Sequence, residues 1–514
     1  MFEKRDFLIL GFIFLLAYIL RVIFLPSNAL TFGYDQARDA FVVREIISGD
    51  FKILGPPAST PGLYHGVLYY YYLVFPYLLG ANPVYAAYWN SLFNALVVFF
   101  VYILTYLFVG KKGPSFLAAL LFAISFEATQ YANWLSNPTI GVVSVPLIYL
   151  GLWIWINDFK HKKDKRIYWG PFLTAIGFGI SVQAEVFLLY HGIVIAFWLF
   201  VSRSKVLLRE FLLFLTVFFV VLSTMILSEF KFGFRGVIGL LSLFTNGGSL
   251  KFAKSFGDIL VLYLNQLGRL FSYSTYPGNV WWGAGFVFIL LVYSIWTLNK
   301  KRVGWKAFLS SILLSHASVV SLGGQSTPFL LVGLAPFVSI IVAIFLHKWW
   351  ARGYKTVAFF VFLIIVFGNL SMIFRENKKG QTIFAIQQDM VLSKQIPLID
   401  YTYNEANGAR FSINTLTSPL WVNTVWSYLY NFYGEPRYGY LPSWHGRDQV
   451  GRLGNNLENA SSDVNLFFLI LEPMEGIPKK FLDETVASED AVSRIIESKN
   501  FGSIVVQKRE ALNE

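Results

Sequence analysis

Apolar runs about as long as a bilayer is thick recur along this chain of 514 residues. Eleven can be read: 7–25, 88–109, 114–127, 139–156, 170–184, 186–201, 211–228, 281–298, 307–322, 329–347 and 356–374. A spanning helix needs about 20 mostly apolar residues. Backbone in lipid must satisfy its own hydrogen bonds. The runs therefore predict a polytopic α-helical membrane protein. Composition agrees: 14% of residues are charged, against about 25% in soluble domains. With no cysteine, disulfides, thiol nucleophiles and thiolate metal sites are excluded. The net charge of +12 does not point to nucleic acid, because the basic residues sit in short loops between runs, which marks membrane topology. No small-residue cleavage site follows the first run, so it is expected to stay as an anchor.

The basic clusters are Lys4 with Arg5, Lys111 with Lys112, "KHKKDKR" (160–166), Arg203 with Lys205 and Arg209, "KKR" (300–302) with Lys306, and Lys348 with Arg352 and Lys355. Eleven spans put all of them on one side, which is cytoplasmic by the positive-inside rule. The protein is then a multi-pass protein of the cytoplasmic membrane, its N-terminus inside and its C-terminus outside. Two long loops face outward, after the first and seventh spans. In the second, "FGFRGVIGLLSLF" and "SFGDILVLYLNQLGRLF" read as amphipathic interface helices. The latter is alternatively a twelfth span, which would break the basic-loop pattern. Residues 376–514 turn polar and read as an extracytoplasmic α/β domain appended to a membrane domain, 1–375. Its "VNLFFLILE" and "GSIVVQ" are strand-like and "SEDAVSRIIESK" helical. No internal repeat is visible.

The outward side holds the unusual residues. "TFGYDQARDAFVVREI" begins at Thr31. On a helix Asp35, Arg38 and Asp39 share a face. An N-cap accounts for an Asp at 35 but not for Arg38 and Asp39 beside it. Carboxylates in a cavity at membrane level serve as general bases or ligands of hard cations. In "ILGPPASTPGLYHGVLYYYYLVFPY" (53–77) the Gly and Pro residues fix an irregular path. The four tyrosines read as an aromatic interface belt, whereas Tyr64 and His65 are candidates to bind a phosphate or a sugar hydroxyl. "FEATQYANWLSNP" (126–138) offers Glu127, Asn133 and Asn137. Asn137 with Pro138 suits a helix start, but a carboxylate near hydrocarbon needs a role or a partner. "SVQAEVFLLYHG" (181–192) adds Gln183 and Glu185, and "LSEFKFGFRG" (227–236) adds Glu229, Lys231 and Arg235. For the two bases, as for Arg21, snorkelling is the plain alternative. Acids and bases on one wet face suit an anionic phosphate substrate, with Asp39, Glu127, Glu185 and Glu229 as a possible acid cluster and Mg²⁺ or Mn²⁺ bridging.

An acid just after the first span, a long first loop with "GDF", "LGPP" and "YHGVLYYYYL", then "YANWLSNP" and "SEFKFGFRG", resembles the membrane glycosyltransferases of the GT-C fold. The branch is that of the bacterial relatives of protein O-mannosyltransferases and aminoarabinose transferases. The resemblance covers about the first 375 residues and is most specific at 31–90. It implies an inverting hexosyl- or pentosyltransferase with a polyprenyl-phosphate-linked sugar donor, used on the non-cytoplasmic side. The acceptor would be a lipid, glycan or protein. It also implies that Asp35 is the catalytic base, with Arg38, Tyr64, His65, Lys231 and Arg235 near the donor phosphate or sugar. Many relatives carry Asp-Glu where this chain has Asp35-Gln36, and some carry an Asp where it has Asn133 and Asn137. The competing classes are a polytopic transporter, which would place polar residues at mid-membrane on broken helices, and a polymerase or ligase of lipid-linked glycans.

Overall fold

The computed structural model describes residues 3–58, 62–157, 168–202, 206–245, 255–296, 304–323, 327–454, 456–461, 464–473 and 475–512. The basic stretches 160–166 and 300–302, with Arg203 and Lys205, lie outside them. The first elements are α1 (Lys4–Val22), α2 (Tyr34–Ile47), α3 (Leu68–Tyr77), α4 (Pro83–Val109), α5 (Lys112–Ala123), α6 (Phe126–Ala132), α7 (Gly141–Asn157), α8 (Trp169–Ala184) and α9 (His191–Val201). Then come α10 (Leu208–Val221), α11 (Ser223–Lys231), α12 (Arg235–Thr245), α13 (Phe256–Ser274), α14 (Val280–Trp296), α15 (Trp305–Gly323), α16 (Ala335–Ala351) and α17 (Lys355–Glu376). Every apolar run contains a helix. Among the described residues four helical segments are long and apolar enough to cross a membrane alone. They become six if the bent pairs α5–α6 (55°) and α10–α11 (56°) each count as one. The count of eleven rests on the sequence.

Local chemistry sets the helix ends. α4 starts where the Asn82 side chain accepts the Val84 N–H at 3.0 Å, with Pro83 next, and stops at Gly110, whose φ is +68°. Phe7 and Phe12 of α1, Phe219 of α10, and Phe360 and Phe367 of α17 stand exposed. Such a surface belongs in lipid rather than water, and the molecule is membrane-embedded. Lipid gives helices no hydrophobic drive to associate, so small residues let backbones close on one another. At Gly151 an added Cβ would lie 2.4 Å from the Thr174 nitrogen, and at Gly177 2.7 Å from that of Ile148, which locks α7 to α8.

The two segments predicted to lie at the interface differ. α12 shows exposed Val237, Ile238 and Leu241, as an interface helix does. α13 instead packs its C-terminal half into the bundle: Leu267 to Ser272 are buried, and Gly268 meets the α14 backbone at Gly283. The four tyrosines do not form a belt either. Tyr69 and Tyr70 are buried beneath α2, and Tyr71 donates to the Lys52 carbonyl at 2.9 Å.

After α17 the chain forms α18 (Leu392–Ala406), β1 (Ser412–Leu416), α19 (Thr424–Leu429), α20 (Glu435–Tyr438), β2 (Ser443–Trp444), β3 (Leu466–Leu471), α21 (Lys480–Asp490), β4 (Ser493–Phe501) and β5 (Ile504–Ala511). The sheet order is β2-β1-β3-β5-β4, with β1 parallel to both neighbours and β5 antiparallel to β3 and β4. The two expected strands are β3 and β5. The expected helix 488–499 is wrong past Asp490. There the chain turns at Gly502, with φ +68°, and β4 pairs back on β5, so tertiary pairing overrides a helical pattern.

This region is joined to the first loop. Phe32, Val43 and Tyr69 share one apolar cluster with Trp426, Tyr428 and Phe468. The Phe32 N–H donates to the Met390 carbonyl and that of Leu392 to Leu30, both at 2.9 Å. The Thr31 hydroxyl donates to the Gly380 carbonyl at 2.8 Å.

Candidate active site

Those bonds fix the backbone just before Asp35. The cap of α2 is not Asp35. Gln36 reaches back to accept the Gly33 N–H at 2.9 Å and donates its own amide to the Leu135 carbonyl at 2.8 Å. Asp35, in the first helical turn, is left for other work. The helical spacing brings Arg38 beside it. Arg38 Nη1 donates to Asp35 Oδ1 at 2.7 Å, and its Nε and Nη2 reach Asp39 Oδ1 at 2.8 and 2.7 Å. Arg38 and Asp39 are buried, whereas the Asp35 side chain is 46% exposed. Asp35 Oδ2 accepts no hydrogen bond among the described residues.

Burial lifts the Asp39 carboxyl to about 6, with Arg38 pulling it down and the Asp35 charge adding to the rise. Burial works against the Arg38 charge, but the two carboxylates hold its guanidinium above its ordinary value. The triad carries one net negative charge.

Asp35 and Arg38 open into a cavity of about 380 Å³. Pro57 and Ala58 of the first loop line it, as does Trp134 beyond α6. The rest of the lining comes from Phe384, Ile386, Gln387 and Met390, and from the turn at Ser418 and Pro419. Trp134 stacks on Phe384, with ring centroids 4.4 Å apart and planes at 26°.

The other expected site residues do not gather there. His65 faces the α8–α9 junction: its Nδ1 accepts the Val186 N–H at 3.4 Å and lies 3.7 Å from Glu185. Burial, with the nearby Arg38 charge, pushes the imidazole down to about 4, so this contact is not an ion pair at neutral pH. Tyr64 bridges to Pro57 and is partly exposed. Glu127 is buried against Arg269, whose Nη1 reaches both carboxylate oxygens at 3.0 and 2.9 Å. Glu229 accepts the Val237 N–H at 3.1 Å at the start of α12, and Lys231 and Arg235 are exposed. Asn137 donates to the Ala184 carbonyl at 2.5 Å. The acid cluster therefore does not assemble. Asp39, Glu127, Glu185 and Glu229 are engaged separately, and among the described residues no three carboxylate or imidazole groups converge as a cation site. Of these acids and Asp35, only Asp35 lines the cavity.

Gln387, Ser418 and Pro419 carry no signal in the sequence. They sit in a polar segment without a motif and reach the cavity only through the pairing of residues 30–32 with 380–392.

The chain is similar throughout to ArnT from Cupriavidus metallidurans, in structures bound to undecaprenyl phosphate and in the apo state. Both give a TM-score of 0.58 at 11% identity over 97% of this chain, and cover 97% and 98% of theirs. No protein-family model and no curated protein matches the sequence. At this identity the likeness speaks for the fold: the molecule has the ArnT fold from end to end.

Proposed function

We propose that this chain is a membrane glycosyltransferase that moves a sugar from a polyprenyl-phosphate donor to a hydroxyl acceptor on the non-cytoplasmic face. The observation that carries the reading is Asp35, a half-exposed carboxylate with one oxygen held by Arg38 and the other free toward a cavity. A protein of the same fold, ArnT, has been solved with undecaprenyl phosphate bound, which supports a lipid-linked donor. As the acceptor oxygen bonds to the sugar anomeric carbon, its proton passes to Asp35 Oδ2. The bond from that carbon to the phosphate oxygen breaks, and polyprenyl phosphate leaves with the electron pair. A single displacement of this kind inverts the anomeric centre. Arg38, committed to Asp35 and Asp39, acts by aiming the base rather than by holding the donor phosphate. The transporter reading fits less well, because the cavity is lined by first-loop and C-terminal segments and not by broken helices at mid-membrane.

The test is a panel of radiolabelled polyprenyl-phosphate hexoses and pentoses incubated with membranes containing or lacking the protein. Protein-dependent transfer of label from one donor to an acceptor is expected. Intact donors throughout the panel would overturn the reading.

A further inference from the structure

The part of the cavity wall that carries Gln387 and Ser418 is held by a residue that does not itself line it. Glu472, at the end of β3, is buried. Its Oε2 accepts from Gln387 Nε2 at 2.9 Å and from the Ser418 N–H at 3.0 Å, and its Oε1 accepts from Trp426 Nε1 at 3.0 Å. Three N–H donors converge on one carboxylate, and two of them belong to residues of the cavity wall. A buried charge is costly unless its partners are good. Here the partners tie the linker after α17, the 418–419 turn and α19 to one point.

This arrangement decides what Gln387 offers a ligand. Its amide nitrogen also donates to the Pro473 carbonyl at 3.1 Å, so both hydrogens are used. Because Glu472 and Pro473 present oxygens, the nitrogen must face them. Only the carbonyl oxygen remains, and it is an acceptor. Asp35 Oδ2 is a second acceptor. Arg38 is the one cation among the described lining residues, and two carboxylates neutralise it. The stacked Trp134 and Phe384 supply an apolar platform.

We propose that Gln387, held by Glu472 as a positioning residue, and the Trp134–Phe384 stack select a neutral, hydroxyl-rich acceptor of carbohydrate type and reject a phosphorylated one. This rests on the reading of Asp35 as the base in an acceptor site. Hydroxyls donate to both free oxygens, while an anionic group on the acceptor meets two acceptors and a net negative charge; the donor phosphate, across the anomeric carbon from the acceptor in a single displacement, does not lie between them.

The test measures binding without turnover, so it remains readable if the transferase reading fails. The full chain in lipid nanodiscs is titrated with methyl glycosides of glucose, galactose, mannose and xylose, and with the 6-phosphates of the three hexoses. Contact is read by saturation-transfer NMR. At least one glycoside should bind, with its 6-phosphate at least tenfold weaker. Gln387→Leu should weaken that glycoside at least threefold. Glu472→Leu, which removes the acceptor that holds the Gln387 and Ser418 N–H groups, should do the same, and Gln387→Leu should keep the wild-type melting temperature. If Glu472→Leu fails to fold, Gln387→Leu alone decides. Gln387→Lys should narrow or reverse the preference against the phosphate. A phosphorylated sugar binding as well as its parent, no glycoside binding at all, or full binding in folded Gln387→Leu would each overturn the proposal.

Discussion

Arg38 is the pivot of the site, because one guanidinium restrains two carboxylates of opposite accessibility. The buried one, Asp39, titrates near 6. As pH falls through that value Asp39 takes a proton, Arg38 loses a charged partner, and the orientation of Asp35 is disturbed. Stability moves the other way. A carboxyl whose folded pKa is raised binds its proton more tightly when folded, so its contribution grows as pH drops from about 6 toward the ordinary carboxylate range. The transfer rate should therefore show an acidic limb with a midpoint near 6 and no matching loss of melting temperature. That limb should vanish in Asp39→Asn. A pH–rate profile unchanged by the substitution would separate Asp39 from the chemistry. At this scale the sequence was most informative where the relevant neighbours are local. Asp35, Arg38 and Asp39 share a face by helical spacing alone. His65 and Glu127 misled because their partners, Glu185 and Arg269, lie 120 and 142 positions away along the chain.

Among the elements, the spanning helices were legible because lipid leaves the chain no other way to satisfy its backbone. The first loop was not, because its path depends on contacts with α8. Gly66 shows why its glycines matter. Its N–H donates to the Gln183 carbonyl at 2.7 Å, and an added Cβ would lie 1.8 Å from Gln183 Oε1 and 2.9 Å from its Cα. Gly66→Ala should push the loop off α8, at the cost of about 1–3 kcal/mol typical of overpacking. Hydrogen exchange at residues 63–67 should speed up, and transfer should weaken because Pro57 and Ala58 of the same loop line the cavity. Unchanged exchange would mean that the loop relaxes freely and does not shape the site. β4 was missed for a related reason: residues 493–501 become a strand only by pairing across the Gly502 turn, and no local pattern records that partner.

For the whole molecule, the proposed orientation combines two separate arguments. The basic clusters bias one side toward the cytoplasm. The bonds from residues 30–32 to 380–392 require the C-terminal region to share a side with Asp35. Reporter fusions after residue 112 should read cytoplasmic and fusions after residue 380 extracytoplasmic. A cytoplasmic reading at 380 would contradict the orientation and the outer site with it. The sequence separated a greasy part from a polar part but did not reveal that the polar part supplies nearly half of the cavity lining. The central claim, that the assembled site transfers sugar with Asp35 as its base, is tested most directly by Asp35→Asn in reconstituted full-length protein. Asparagine keeps an oxygen for Arg38, and Gln36 still caps α2, so folding and melting temperature should stay at wild-type values. Asp50→Asn, in an exposed residue of the same loop, is the control. Transfer from the polyprenyl-phosphate-sugar donor should fall by roughly 10²–10⁴ in Asp35→Asn and stay near normal in the control. A folded Asp35→Asn protein with near-normal turnover would contradict the account.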